Sequence, residues 1–281
     1  MTRSVLVTGA TGFVGQHVLR SLCEKDIKLK LVARQQTDLT VIDSNQFAPV
    51  IVSTTDVFKE SVEWWQRHLE GVDTVIHLAW YAEPGKYQTS ARNLDCLSGT
   101  LKLAQACEAS NVSRFVGIGT CFEYDLSQKV LPVTTPLRPN SPYGAAKAAL
   151  YLALSQFFLN SSNLKGKAVE FAWCRLFYLY GEGEDERRLV SHIRNQIRKG
   201  EPVALTSGTQ VRDFMDVSDA AREIVEVALG DVQGPVNICS RKATTVRELA
   251  EKVADEFGRR DLLRFGARED NVIDPPYVVG E

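Results

Sequence analysis

The apolar run Val5-Leu-Val7 is followed at once by Gly9-Ala-Thr-Gly12-Phe-Val-Gly15, and this junction constrains the chain more than any other segment. A short apolar run of this kind reads as an interior strand, and the glycines behind it strip side chains from the turn into a helix. A bare turn lets backbone N–H groups and the positive end of the helix dipole approach a pyrophosphate. The same rhythm continues downstream. Strands are predicted over 5–8, 28–33, 49–53, 73–78, 114–119 and 168–177, with helices over 13–24, 94–110 and 142–160 and the segment 57–69 between strands. Short apolar strands alternating with helices imply an α/β fold, a Rossmann-type doubly wound parallel sheet covered on both faces.

Beyond residue 180 the texture changes: the charged loop 182–188 opens a helix over 189–199, followed by a strand over 211–217, a helix over 218–229, a strand over 236–239 and a helix over 245–257. The expected division is a dinucleotide-binding domain over 1–177 and a small mixed α/β substrate-covering domain over 178–281, with segments near 211–235 returning to the first.

With 44% apolar residues the 281-residue chain can bury a large core, and a charge of 33 minus 35, or −2, gives no basic footprint for nucleic acid. No apolar stretch reaches the roughly 18–20 residues that span a bilayer, and the opening Met1-Thr-Arg-Ser lacks the pattern of a signal peptide. The six cysteines are scattered without a Cys-x-x-Cys pair, and the four histidines show no ligand spacing. Reduced thiols, no metal site, no membrane partner and a cytoplasmic location are therefore expected.

Tyr143-Gly-Ala-Ala-Lys147 places a phenol and an ammonium one helical turn apart. A phenol titrates at about pH 10, too high for a base at neutrality, and a nearby cation favours its ionised form. Thr120, closing the strand before it, offers a hydroxyl for a substrate oxygen. At the end of the second strand the chain reads Leu31-Val-Ala-Arg34-Gln-Gln, with no acid before Asp38. An acid there would accept from the ribose 2′-OH of NAD, whereas an arginine accommodates the 2′-phosphate of NADP, so Arg34 favours NADP(H) over NAD(H). The other reading of Arg34 is an exposed strand-end arginine.

Taken in order, these motifs resemble the extended short-chain dehydrogenase/reductase family, in its nucleotide-sugar epimerase/dehydratase branch. The resemblance runs through Thr8–Gly15, His77-Leu-Ala-Trp80, Thr120, Pro136-Leu-Arg-Pro-Asn-Ser-Pro-Tyr143-Gly-Ala-Ala-Lys147, Arg175-Leu-Phe-Tyr-Leu-Tyr-Gly181 and Arg212-Asp-Phe-Met-Asp-Val-Ser-Asp219, nearly the whole chain. It implies Thr120, Tyr143 and Lys147 as catalytic residues. Around the cofactor it implies Gly9, Thr11, Gly12, Phe13, Val14, Gly15, Arg34, Asp56, Leu78, Ala79 and Phe177, together with Tyr143 and Lys147. Around the substrate it implies Trp80, Cys121, Glu123, Tyr178 and Arg212. Arg212 would fork onto the nucleotide diphosphate; its alternative is a salt bridge with Asp213 or Asp216. Three positions depart from the family pattern: Trp80 stands where a small residue is usual, Tyr178 replaces a common asparagine, and Cys96 lies near another, with Asn93 close by.

The family's 4,6-dehydratases carry an Asp-Glu pair after the Ser/Thr; here Cys121 and Phe122 follow Thr120, and neither shuttles protons at neutral pH. Glu123, one residue further, is expected to hydrogen-bond or to touch a substrate hydroxyl. The implied reaction is NADPH-dependent reduction of a nucleotide-linked 4-keto-6-deoxyhexose, with Thr120 and Tyr143 on the carbonyl oxygen and Tyr143 donating the proton. The alternatives are an NAD-dependent nucleotide-sugar 4-epimerase and, in another class, a non-catalytic NADP(H)-binding regulator, which retention of Thr120, Tyr143 and Lys147 disfavours. The resemblance also implies a homodimer through the helices over 94–110 and 142–160, where Ala145, Ala146, Ala148, Ala149, Leu150 and Leu152 allow close packing.

Overall fold

Every residue of the fifth strand, Arg114–Thr120, is buried, because the sheet around it is covered by helices on both faces. A computed structural model of the chain describes residues 2–34, 49–161, 166–271 and 274–281. In chain order the first half runs β1 (Arg3–Thr8), α1 (Phe13–Cys23), β2 (Ile27–Arg34), β3 (Val50–Thr54), α2 (Val62–His68), β4 (Thr74–His77), α3 (Arg92–Glu108), β5 (Arg114–Thr120), β6 (Val130–Leu131) and α4 (Pro142–Asn160). The second half adds β7 (Glu170–Leu176), β8 (Tyr178–Tyr180), α5 (Leu189–Lys199), β9 (Val203–Ala204), β10 (Val211–Asp216), α6 (Val217–Leu229), β11 (Gly234–Ile238), β12 (Ala243–Thr245), α7 (Val246–Asp255), β13 (Leu263–Arg264) and β14 (Tyr277–Gly280).

Seven strands form one sheet in the order β11-β7-β5-β4-β1-β2-β3, all parallel. The order reverses between β1 and β4, the switch point at which sheets of this kind place a crevice beyond the carboxyl ends of their strands. One face is covered by α1 and α6, through Val18, Leu22, Ala221 and Val225. The other is covered by α2, α3 and α4, through Trp65, Leu103, Leu150 and Phe158. This is the fold class that the strand–helix alternation implied.

A second sheet, β12-β10-β14-β6 with β8 on β10, sits beyond the carboxyl ends, and β9 pairs with β13. Its strands, apart from β10, are two to four residues long, too short to carry a period of two, and the sequence did not suggest β6, β8, β9, β12, β13 or β14. Strand β10 belongs to this small sheet, whereas α6 and β11 return to the large one. The segment 57–69 contains a helix only over Val62–His68. The loop after β8 is tied to α1, where the His17 ring meets the Glu182 carbonyl (Nε2 to O, 2.9 Å) and Arg20 pairs with the Glu182 carboxylate (2.9 Å). No helix among the described residues is long and apolar enough to cross a membrane.

Candidate active site

The turn from β1 into α1 is shaped by what its glycines leave out. Gly9 holds φ at +73°, and a Cβ there would stand 2.6 Å from the Ala79 nitrogen. A Cβ on Gly15 would stand 2.0 Å from the Gly9 carbonyl oxygen, so the helix could not approach its own entry turn. Gly12 is the N-cap of α1, its N–H bonded to the Gly9 carbonyl (3.1 Å); the first turn has no side-chain cap and no acid. The positive end of an eleven-residue helix is thus open to an anion. Thr11, Phe13 and Val14 stand half-buried around it, with Leu78 and Ala79 half-buried at the end of β4.

A buried imidazole locks this turn. His77 bridges Thr8 Oγ1 (2.8 Å from Nδ1) and Thr100 Oγ1 (2.8 Å from Nε2). Thr100 donates its own proton to the Cys96 carbonyl (2.8 Å), so it accepts from His77 Nε2–H; Thr8 then donates to Nδ1 while accepting from the Ala79 N–H (3.3 Å). Burial, helped by the Lys147 charge, pushes His77 down to about 3, consistent with a neutral ring.

Arg34 is exposed at the carboxyl end of β2, in register with Thr54 of β3. Two residues beyond Thr54, half-buried Asp56 accepts from the Phe58 N–H (3.1 Å). Asp38 lies outside the described residues.

The other wall of the crevice is made by β5 and α4. Ser141 caps α4 by accepting from the Gly144 N–H (3.2 Å), and Pro142 occupies the first helical position, so Tyr143 falls in the first turn and Lys147 one turn later. A Cβ on Gly144 would stand 2.4 Å from the Phe122 carbonyl oxygen, so glycine lets the helix close on the turn after Thr120. Thr120 and Tyr143 interact through their side chains, which favours the phenolate, but burial dominates, aided by the Tyr87 phenol, and raises Tyr143 above its ordinary 10. The phenol therefore stays protonated at neutral pH. Lys147 is 4% exposed and donates to the Ile118 carbonyl (2.6 Å), with its ammonium 3.7 Å from the centre of the Trp80 ring. Burial lowers it from 10.5 to about 7.

On the substrate side the structure redistributes several expected residues. Glu123 does not face the crevice. It is 0% exposed, accepts from the Thr120 N–H (2.8 Å) and Trp173 Nε1 (3.0 Å), and pairs with Arg175 Nε (2.6 Å). A carboxylate so engaged has nothing left for a substrate hydroxyl. Cys121 and Phe177 are also packed rather than presented, in an apolar cluster with Tyr124, Leu131, Cys239 and Val278; burial pushes the Cys121 thiol up to about 12. Tyr178 is half-buried, edge-on to Phe122 and Phe214 (6.0 Å each). Arg212 lies 5.2 Å from the Tyr178 ring centre and donates to the Val211 carbonyl (2.9 Å).

Neither aspartate neighbour pairs with Arg212: Asp213 accepts from the Ser240, Arg241 and Gly280 N–H groups, and Asp216 caps α6 through the Ser218 N–H. Arg212 is 3% exposed and has no ion-pair partner among the described residues. The site also includes residues the sequence did not single out. Tyr87 packs edge-on against Tyr143 (4.8 Å), and Arg175 anchors Glu123 and donates to the Tyr124 hydroxyl (3.0 Å). Tyr87 sits in a Pro-Gly loop with no periodicity to mark it.

The parallel sheet in this order, the glycine cradle and the Tyr-Lys pair on one helix define an NAD(P)-dependent enzyme on a Rossmann-type fold. The chain belongs to the NAD dependent epimerase/dehydratase family, whose model matches residues 5–239. It is 24% identical over 264 residues to a dTDP-6-deoxy-L-talose 4-dehydrogenase (NAD(+)) from Aggregatibacter actinomycetemcomitans, covering 90% of each chain. With a GDP-6-deoxy-D-mannose reductase from Pseudomonas aeruginosa it shares 28% over 269 residues, 91% of this chain and 80% of that one. Among solved structures it resembles a UDP-N-acetylglucosamine 4-epimerase from Methanobrevibacter ruminantium M1, with a TM-score of 0.84 and 23% identity over 100% of this chain and 89% of the other.

Proposed function

We propose that this protein is an NADPH-dependent reductase of a nucleotide-linked 4-keto-6-deoxyhexose, forming a deoxysugar nucleotide. The observation that carries the reading is the proton inventory around Thr120. Cys121 and Phe122 occupy the two following positions, the Cys121 thiol is pushed up to about 12, and Glu123 is consumed by Thr120, Trp173 and Arg175. The proton donor beside Thr120 is then Tyr143, held as a phenol by burial. A single donor suits carbonyl reduction; a dehydration would need two further acid/base groups.

The residues fit the cofactor: the open N-terminus of α1 would take the pyrophosphate, and an N–H of Lys147 not engaged by Ile118 would take the nicotinamide ribose. When bound, the reduced nicotinamide supplies the hydride. Thr120 and Tyr143 hydrogen-bond the carbonyl oxygen as negative charge develops on it, and Tyr143 passes its proton to that oxygen. The Lys147 ammonium stabilises the phenolate left behind.

Arg212, buried without a carboxylate, suits a diphosphate, which its planar fork can grip at two oxygens. The talose dehydrogenase and the deoxymannose reductase act, by their names, on 6-deoxy sugar nucleotides, and the aromatic wall of Tyr178, Phe122 and Tyr87 suits an apolar C6 methyl. Exposed Arg34 supports NADP(H) over NAD(H). The enzyme is further proposed to be a cytoplasmic homodimer joined through α3 and α4, where Leu94, Leu152 and Leu159 are exposed; light scattering tests the dimer.

The deciding experiment offers a panel of 4-keto-6-deoxy nucleotide sugars with NADPH or NADH and follows loss of reduced-nicotinamide absorbance. Stoichiometric consumption preferring NADPH is expected. Inversion at C4 of an ordinary nucleotide sugar with retained NAD would assign the epimerase instead, and cofactor binding without turnover would assign the regulator.

A further inference from the structure

The environment of Lys147 contains a device that neither the acid/base triad nor the cofactor loop accounts for. An ammonium has three N–H donors. One goes to the Ile118 carbonyl at 2.6 Å, and the Trp80 ring face, 3.7 Å away, takes the charge from another side. Trp173 presents a second, more distant ring at 5.8 Å. Among the described residues Lys147 has no ion-pair partner, so a buried cation is held here by a carbonyl and an indole.

The indole is itself held in place. Its Nε1 donates to Asn93 Oδ1 (2.9 Å), and Asn93, 0% exposed, donates to the Tyr87 carbonyl (2.7 Å) and the Ser90 carbonyl (2.9 Å). Both amide protons and the amide oxygen of Asn93 are thereby used. The indole also meets Phe58 and Tyr143 edge-on at 6.4 Å each, so it cannot swing off the ammonium without breaking several contacts.

We propose that Trp80 is a positioning residue whose ring face keeps Lys147 charged and aimed at the cofactor, with Asn93 fixing the plane of the indole. The proposal rests on the reading above that Lys147 serves a bound nicotinamide dinucleotide. It reassigns Trp80 from the substrate to the lysine, and it gives a use to a bulky residue at a position where the family usually has a small one.

The physical need is clear from the groups that face Lys147. His77 on β4 is neutral, Cys96 on α3 is a thiol, Tyr143 on the same helix is a phenol, and Trp173 on β7 is uncharged. Glu123, beyond β5, favours the ammonium but is already paired with Arg175. Burial opposes them and brings Lys147 to about 7, where a small bias decides its charge at neutral pH. A ring face favours the cation by enough to move a titration by about half to one pH unit.

The test measures, by calorimetry, the affinity of the purified protein for NADP(H) and for NAD(H) across the neutral range. Affinity is expected to fall as pH rises through the Lys147 titration, and Lys147→Met should abolish that midpoint. Trp80→Ala and the volume-preserving Trp80→Leu should move the midpoint down by about half to one unit, while Trp80→Phe, which keeps a ring face, should stay within a few tenths. Asn93→Ala should fall between them. A wild-type midpoint in both Trp80→Ala and Trp80→Leu would overturn the proposal, as would a midpoint that survives Lys147→Met. Wild-type protein that shows the titration but reduces no 4-keto sugar would instead overturn the reductase reading and leave this inference standing.

Discussion

Around Gly9, Gly12 and Gly15 the chain keeps side chains out; around Glu123 and Arg175 it packs charged side chains in. The first region is backbone shaped by omission, since a Cβ on Gly9 or Gly15 would overlap neighbouring main chain. The second is a buried polar chain: Glu123 to Arg175, Arg175 to the Tyr124 hydroxyl, Tyr124 to Asn237 Oδ1 (2.7 Å), and Asn237 to the Leu131 carbonyl (2.7 Å). It runs from the turn after Thr120 to the small sheet. An omission fails when something is added, and a network fails when one member is removed. The two walls of the crevice should therefore respond to opposite kinds of substitution.

The largest expected effect lies on the α4 side of the crevice. Tyr143→Phe keeps the packing against Tyr87 but removes the proton, so turnover should fall by about two to four orders of magnitude while cofactor affinity holds; near-normal turnover in stopped assays would remove Tyr143 from the mechanism. On the network side, Arg175→Met leaves Glu123 an uncompensated buried charge and should cost roughly 3–5 kcal/mol in denaturant unfolding. Replacing both, as Glu123→Leu with Arg175→Met, should recover much of that loss, and a double variant no more stable than the single would break the contrast. On the glycine side, Gly15→Ala should cost about 1–3 kcal/mol, because its Cβ meets main chain. Gly12→Ala has φ at −76° and room for a Cβ, so it should leave the melting temperature nearly unchanged and weaken only cofactor binding.

A smaller effect has the opposite sign. Folding lowers Lys147 from 10.5 to about 7, so its burial cost is full below about pH 7 and fades as pH rises toward 10.5. Lys147→Met should be more stable than wild type by roughly 0.5–2 kcal/mol at neutral pH and below, while losing turnover. A separate test, read against pH rather than by substitution, is the acid limb. Folding lowers His77 from 6.5 to about 3, so the unfolded chain binds the extra proton between those values. His77's contribution should be complete above 6.5 and lost as pH falls toward 3, with a slope no steeper than roughly 1.4 kcal/mol per pH unit.

The two walls also differed in how far they could be read beforehand. Gly12 and Gly15 act through the backbone of Gly9 and Ala10 beside them, so their spacing behind the preceding strand is enough to place the turn, although the close approach of Gly9 to Ala79 is not local. Tyr143 and Lys147 were legible for the same reason, sharing one helical face. Glu123 was not: its partners Trp173 and Arg175 lie 50 and 52 residues away, and only the pairing of β5 with β7 brings them beneath Thr120. Arg212 and Tyr178 each lie in a recognisable motif, yet their contact depends on the pairing of β10 with β8, and no pattern signals a strand as short as the three residues of β8. Trp80 departs from the family pattern in the sequence itself, but its contact with Lys147 exists only in three dimensions.

His77 carries a consequence for how this sequence can vary. One imidazole accepts from Thr8, donates to Thr100 and so pins the turn whose Ala79 N–H also reaches Thr8. No aliphatic side chain offers both functions, so a library randomised at position 77 alone should yield few functional survivors. Freedom there should appear only when positions 8 and 100 are varied with it, making the three a single heritable unit spread across two strands and a helix.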